Sequence, residues 1–158
     1  MQSKEQPGDL RDTLDVIPFH DPKAAREHFG PVNKRLSVSL AKALPALLED
    51  CPDPDRALLL FDRLLSESSS ETLRLIESHA FLAHYAIAVF GNSNYLGETL
   101  VRNPDLLQTF LREKKLDQSF SHDEFSEALA RFCSRSFERD GSLLLSRFKR
   151  REYVRIML

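Results

Sequence analysis

The sequence holds only two cysteines and five glycines, and nowhere do apolar and polar residues alternate over the length of a strand. Each shortage removes a class of protein. Cys51 and Cys133 lie far apart with no secretory signal ahead of them, so free thiols in a reducing compartment are expected rather than a disulfide framework. Two isolated thiols supply no metal site either. Scarce glycine and missing period-two runs, set against abundant Leu, Ala, Arg, Glu and Lys, point to an all-α protein. Neither sign of charge is in excess: the net charge is −2, with 29% of residues charged, so the whole chain has no attraction for nucleic acid or anionic lipid. Any basic function must be local. The opening MQSKEQPGDLRDTLD lacks the apolar centre of a signal peptide, and no window reaches the roughly 18 uncharged apolar residues of a membrane span. A soluble, cytoplasmic protein that makes no membrane contact is expected.

At 158 residues the chain fits one domain that buries about two thirds of its unfolded surface. Residues 1–20 are polar and carry Pro7, Gly8 and Pro18, which predicts a flexible N-terminal arm ahead of a helical domain over 21–158. Asp21 can accept from free amides at a helix start, with Pro22 in the first turn where its missing N–H costs nothing. That helix is expected to stop at Gly30, and Pro31 to open a second one bearing Val32, Leu36, Leu40, Ala43, Leu44, Leu47 and Leu48 on one face, with a kink at Pro45. Asp53 and Pro54 start a third helix, striped by Leu58, Phe61, Leu64 and Leu65. Ser68 and Glu71 stand at capping-box spacing for the next. The run from Ala80 to Phe90 is apolar around nearly its whole circumference, so it belongs at the centre of a bundle, with His84 as a hydrogen-bonded core histidine. The expected architecture is a bundle of about seven or eight helices.

The segment GNSNYLG, residues 91–97, invites comparison with a phosphate-binding loop. A P-loop places Lys and then Ser or Thr after its second glycine, whereas Gly97 is followed by Glu98 and Thr99. It reads as a joint: Gly91 in a left-handed helix terminus, Asn92 or Ser93 as the next cap, and Tyr95, Leu96, Leu100 and Val101 as a new stripe. Asn103 before Pro104 marks a further boundary and PDLLQTFLREK a further helix. A later helix, capped by Ser121 or Asp123, is expected to bury Phe125, Leu129, Phe132, Cys133 and Phe137. Asp140 and Gly141 then break the chain before the last helix.

Catalytic chemistry finds little support in these residues. The single Asp-x-Asp, Asp53-Pro-Asp55, has the spacing of a magnesium pair, but it sits where a helix cap is needed and no phosphate turn lies upstream. None of the five histidines is spaced for zinc on one helix face. Neither Gly-x-Ser-x-Gly nor Ser-x-x-Lys occurs. No catalytic, cofactor-binding or metal-ligating residue is therefore assigned. The strongest local signal is RFKRREYVRI, where Arg147, Lys149, Arg150, Arg151 and Arg155 form a candidate partner-binding surface. As a helix it places Leu145, Phe148, Glu152 and Ile156 on one stripe, and Glu152 then needs a partner, with Arg155 at i+3 offering a structural ion pair.

The stretches SHAFLAHYAIAVFGNSNYLGETLVRNPDLLQTFL and LLLSRFKRREYVRIML together resemble the helical region of the glutamine synthetase adenylyltransferase family, over roughly Pro54 to Leu158. These are bifunctional enzymes that attach AMP to glutamine synthetase and remove it. The resemblance implies two tandem units, each a helical stretch leading into a nucleotidyltransferase domain with a glycine-rich turn and an Asp-x-Asp magnesium pair. The present chain is similar to the helical part of the N-terminal, adenylyl-removing unit and ends where the approach to the catalytic sheet is expected. Asp53 and Asp55 do not match the family's metal motif, so no catalytic residue carries over. The implied partners are glutamine synthetase and the nucleotidyltransferase domain. Magnesium and ATP are implied for the complete enzyme and no cofactor for this chain, which is expected to be inactive alone. The competing reading is a stand-alone helical adaptor, or a nucleic-acid-binding module using the basic last helix; the net charge and the lack of helix-turn-helix spacing weigh against nucleic acid.

Overall fold

A computed structural model describes residues 14–112 and 119–157. Among the described residues all regular structure is helical. The helices are α1 (Pro22–Arg35), α2 (Val38–Glu49), α3 (Pro54–Glu67), α4 (Ser70–Ser78), α5 (Ala80–Asn92), α6 (Asn94–Arg102), α7 (Leu106–Arg112), α8 (His122–Arg135) and α9 (Gly141–Met157). This is the multi-helix, all-α architecture the composition predicts, with more and shorter rods: single non-helical residues, His79 and Ser93, separate α4 from α5 and α5 from α6. The described residues form two compact units, one reaching to Pro104 and one starting at Asp105. Most of the arm expected over 1–20, the end of the helix expected beyond Arg112, and Leu158 lie outside the described residues.

In the first unit α3 is the hub, packing against α1, α2, α5 and α6, while α5 also packs against α2, α4 and α6. Leu58, Phe61 and Leu64 of α3 and Leu82, Ala83, Ala86 and Phe90 of α5 are fully or almost fully buried. Ala80 to Phe90 therefore shares the centre with α3 and has a solvent side after all: Phe81 and His84 are exposed, and His84 is not a core residue. Asp21 caps α1 by accepting from the Lys23 and Ala24 amides at 3.1 and 3.0 Å, and Asp53 caps α3 through the Arg56 amide. Residues 14–20, expected within the arm, bury Leu14 and Ile17.

Four local expectations are corrected by packing. Gly30 and Pro31 do not separate two helices: α1 runs through both, because Ala25, Phe29 and Val32, at i, i+4 and i+7, bury on one face across them. The break falls instead at Leu36–Ser37, where the Ser37 hydroxyl caps α2 and Glu77 accepts the Ser37 amide at 2.8 Å. The cap of α4 is Ser69, with Ser68 ending α3. Gly91 has no positive φ and lies inside α5. Its role is close approach: a Cβ there would collide with Cys51 Sγ, so the loss of a side chain is what lets the loop before α3 pass over α5. Tyr95, placed in the α6 stripe by its spacing, is 60% exposed, while Ser93 caps that helix by accepting from the Leu96 amide.

The second unit holds α7, α8 and α9. A capping box starts α8, Ser121 accepting from the Glu124 amide while the Glu124 carboxylate accepts from the Ser121 amide. Its expected buried side is only half built. Ala128 is buried, Leu129, Phe132 and Cys133 are half-buried, Phe125 is exposed and Phe137 stands clear of the protein. Contact with α9 runs through the edges of Phe125 and Phe132 against Phe148, with ring centroids 5.2 and 5.5 Å apart. Asp140 caps α9, accepting from the amides of Ser142 and Leu143 and from the Ser142 hydroxyl. Those bonds, the Ser142 hydroxyl first, hold the Asp140 carboxyl below its ordinary range.

Candidate functional site

Helix α9 divides the five candidate basic residues into two sets. Arg147, Lys149 and Arg150 are exposed, whereas Arg151 and Arg155 are buried together with Glu152. The buried stripe is rotated from the one the spacing predicts: Phe148 and Glu152 lie on it, but Leu145 is 54% and Ile156 68% exposed. Two guanidiniums can go inside because they are matched. Glu152 Oε1 accepts from Arg151 Nε and Nη2 at 3.0 and 2.8 Å, and Glu152 Oε2 accepts from Arg155 Nε at 2.7 Å. Aromatic faces cover the remaining π surface: Arg151 stacks near Phe132 and Phe148, at 5.3 and 5.1 Å, and Arg155 lies 4.0 Å from the Phe120 centroid. The sequence pointed to a carboxylate in need of a cation but not to Phe120, Phe132 and Phe148 as the housing. The phenylalanines were visible, and what they surround depends on how the helices rotate.

With Arg151 and Arg155 inside, the outward side of α9 presents Leu145, Lys149, Tyr153 and Ile156 along one edge and Arg147 and Arg150 elsewhere. The Lys149 ammonium lies 5.2 Å from the Tyr153 ring centroid. Such a surface can adhere to a partner through apolar contact and cationic attraction.

Elsewhere, the group most like an acid–base pair is His28 with Asp62, Nδ1 to Oδ2 at 2.9 Å. Its nearest hydroxyl does not complete a catalytic chain. Ser66 Oγ donates to the Asp62 carbonyl and accepts from Arg35, which also binds the other Asp62 oxygen at 2.8 Å. The carboxylate is thus shared between an imidazole and a guanidinium that fasten α1 to α3. Cys51 is buried, and burial pushes its thiol up, away from the nucleophilic thiolate. Asp53 and Asp55 face different tasks: Asp53 caps α3 and pairs with Arg56, whereas Asp55 accepts the His20 and Asp21 amides at 2.8 and 2.9 Å. Among the described residues no three His, Cys, Asp or Glu side chains are grouped to hold a metal ion.

No helix among the described residues is long and apolar enough to cross a membrane. No protein-family model matches the chain, and no solved structure matches it. Two curated proteins do. The bifunctional glutamine synthetase adenylyltransferase/adenylyl-removing enzyme of Cutibacterium acnes is 30% identical over 107 residues, covering 62% of this chain and 11% of the relative. The enzyme described in the same words from Mycolicibacterium smegmatis is 27% identical over 154 residues, covering 90% of this chain and 15% of the relative. The chain thus spans less than a sixth of the length of either relative. It is distantly and partially homologous to bifunctional glutamine synthetase adenylyltransferase/adenylyl-removing enzymes.

Proposed function

We propose that this chain is the helical scaffold and docking portion of an enzyme that adenylylates and de-adenylylates glutamine synthetase, with catalysis carried by other polypeptide. The observation that carries the reading is the partial homology, which extends over 90% of the chain in one relative and takes in most of both units. Two features support it. His28, Asp62, Asp53 and Asp55 are occupied in capping helices and holding segments together. Helix α9, the strongest local signal in the sequence, presents an apolar and basic outer side suited to a protein surface: glutamine synthetase or a nucleotidyltransferase domain. Its partner-binding residues are reduced to Arg147, Lys149 and Arg150, since Arg151 and Arg155 act as the internal partners of Glu152. That division also weakens the nucleic-acid reading, because only three of the five cations remain for phosphate.

The purified chain should bind glutamine synthetase, release no AMP from its adenylylated form and incorporate none from ATP. Binding should weaken at least tenfold when Arg147 and Arg150 are changed to Glu. AMP release by the chain alone would overturn the placement of catalysis elsewhere, and unchanged binding by the charge-reversed variant would remove α9 as the docking surface.

A further inference from the structure

Among the described residues, the first unit keeps an apolar surface that its own helices leave uncovered. Helix α5 buries most of its circumference, yet Phe81 is 44% exposed, His84 is exposed, and Tyr85 and Ala88 are half-buried. Beside this arc, where the C-terminal end of α2 meets α5, is a cavity of about 90 Å³ lined by Leu47, Cys51, Ile87 and Ala88, with the exposed Asp50 and His84. Its size decides what can enter. A drug-sized ligand occupies a pocket of roughly 300–1,000 Å³, so this cavity suits a single aliphatic side chain. Next to it Phe81 meets Tyr85 edge-on at 5.6 Å and His79 at 5.8 Å, a set of rings on which a second apolar side chain can rest.

Charge supplies the other half of the recognition. Helix α2 ends in Glu49 and Asp50, both exposed, and has no basic residue in its last turn. Carboxylates at the negative end of a helix dipole are unfavourable, and a cation placed there from outside relieves them. Neither carboxylate forms an ion pair among the described residues. Arg56, close enough to act on the Cys51 thiol, is already held by Asp53 and by the carbonyls of Phe90 and Gly91.

We propose that this groove docks a basic amphipathic helix of a partner protein. One aliphatic side chain enters the cavity, a second lies on Phe81 and Tyr85, and a Lys or Arg faces Asp50 and Glu49. The arc from Phe81 to Asn92 runs roughly 16 Å at the helical rise, about three turns, and anchors at i, i+4 and i+7, about 10 Å from first to last, fit within it. The inference concerns the first unit alone and goes beyond the family reading.

The test is a titration of the whole 158-residue chain, isotope-labelled and followed by NMR, with two synthetic helical peptides. One carries leucines at i, i+4 and i+7 with interleaved lysines and alanines; the other replaces each lysine by glutamate. The lysine peptide should shift the Leu47, His84 and Ala88 resonances and bind at least tenfold tighter than the glutamate peptide. In a Glu49→Lys/Asp50→Lys variant, whose new cations suit a helix C-terminus and leave folding intact, the preference should reverse. Filling the cavity by Ala88→Phe should abolish saturation, with Tyr95→Ala as an unchanged control. Equal affinity for the two peptides, shifts confined to other residues, no saturation at millimolar peptide, or an unaltered preference in the double variant would overturn the proposal. So would shifts at these residues that depend on protein concentration without peptide, which would give the groove to a second copy of the chain.

Discussion

The two units are built from the same kinds of helix but finish their cores to different degrees. In the first, α3 is surrounded by four other helices and its Phe61 and Leu64 are wholly buried. In the second, α8 buries only Ala128 outright, and Phe125, Phe137, Leu143, Leu145, Tyr153 and Ile156 are exposed. Among the described residues, those six set against five in the longer first unit, Val16, Val38, Leu59, Phe81 and Tyr95, mark the second as the less self-sufficient. A unit limited to residues 105–158 falls in the size range where one hydrophobic core rarely supplies more than about 3–5 kcal/mol. Alongside Leu106, Leu107, Phe110, Phe148 and Val154 it buries charge matched by aromatic rings, an arrangement that depends on geometry more than on area. The contrast teaches that the same kinds of helix finish a core in the first unit and leave more apolar surface outside in the second.

The comparison breaks most visibly at phenylalanine. Phe61→Ala should cost about 3–5 kcal/mol in chemical denaturation, and Phe137→Ala, at a side chain with full solvent access, should stay within about 0.5 kcal/mol. A comparable loss from both would mean that Phe137 is covered in solution. The next largest contrast lies between carboxylates. Glu152→Ala should cost about 3 kcal/mol or more, because two buried guanidiniums lose the carboxylate they share. Glu98→Ala, which removes a partly exposed partner of Arg63, should cost no more than about 1 kcal/mol. The same denaturation curves read both.

A smaller effect sharpens the account of the α5–α6 joint. Gly91→Ala should destabilise by about 1–3 kcal/mol through overpacking against Cys51. Adding Cys51→Ala should restore most of that loss, whereas a left-handed terminus would leave the second substitution without effect. The smallest contrast is chemical. Iodoacetamide should modify the half-buried Cys133 before the buried Cys51. Because burial raises the folded-state pKa of Cys51, its proton is held more tightly in the native protein. The resulting stability is complete below the ordinary thiol pKa and is lost as pH rises through the folded value. Cys51→Ala should therefore flatten a decline in stability that begins only in alkaline solution.

Local chemistry made much of this fold legible. Asp21-Pro22, Asp53-Pro54, Ser93 and Asn103-Pro104 are boundaries because a cap or a missing N–H acts within a few residues of itself. Gly30-Pro31 has the same local signature and failed to end α1, since Phe29 and Val32 bury on one face on either side of it. Gly91 suggests a backbone freedom that it does not use; its partner, Cys51, is distant in sequence. In α9 the need of Glu152 for a cation followed from spacing. The choice of Arg151 and Arg155 as interior cations, leaving Arg147, Lys149 and Arg150 outside, was set by rings on α8 and on the segment before it. Helical periodicity gives a face, and only packing gives its rotation.

Hydrogen exchange of the whole chain, alone and with glutamine synthetase, bears most directly on the claim that the second unit is a docking element carried by a finished scaffold. Alone, the amides of α3 and α5 should exchange slowest and those of α8 and α9 markedly faster. With glutamine synthetase present, protection should rise across Gly141–Met157 and leave α3 unchanged. Uniform exchange through both units, or no gain in α9 at saturating glutamine synthetase, would contradict it.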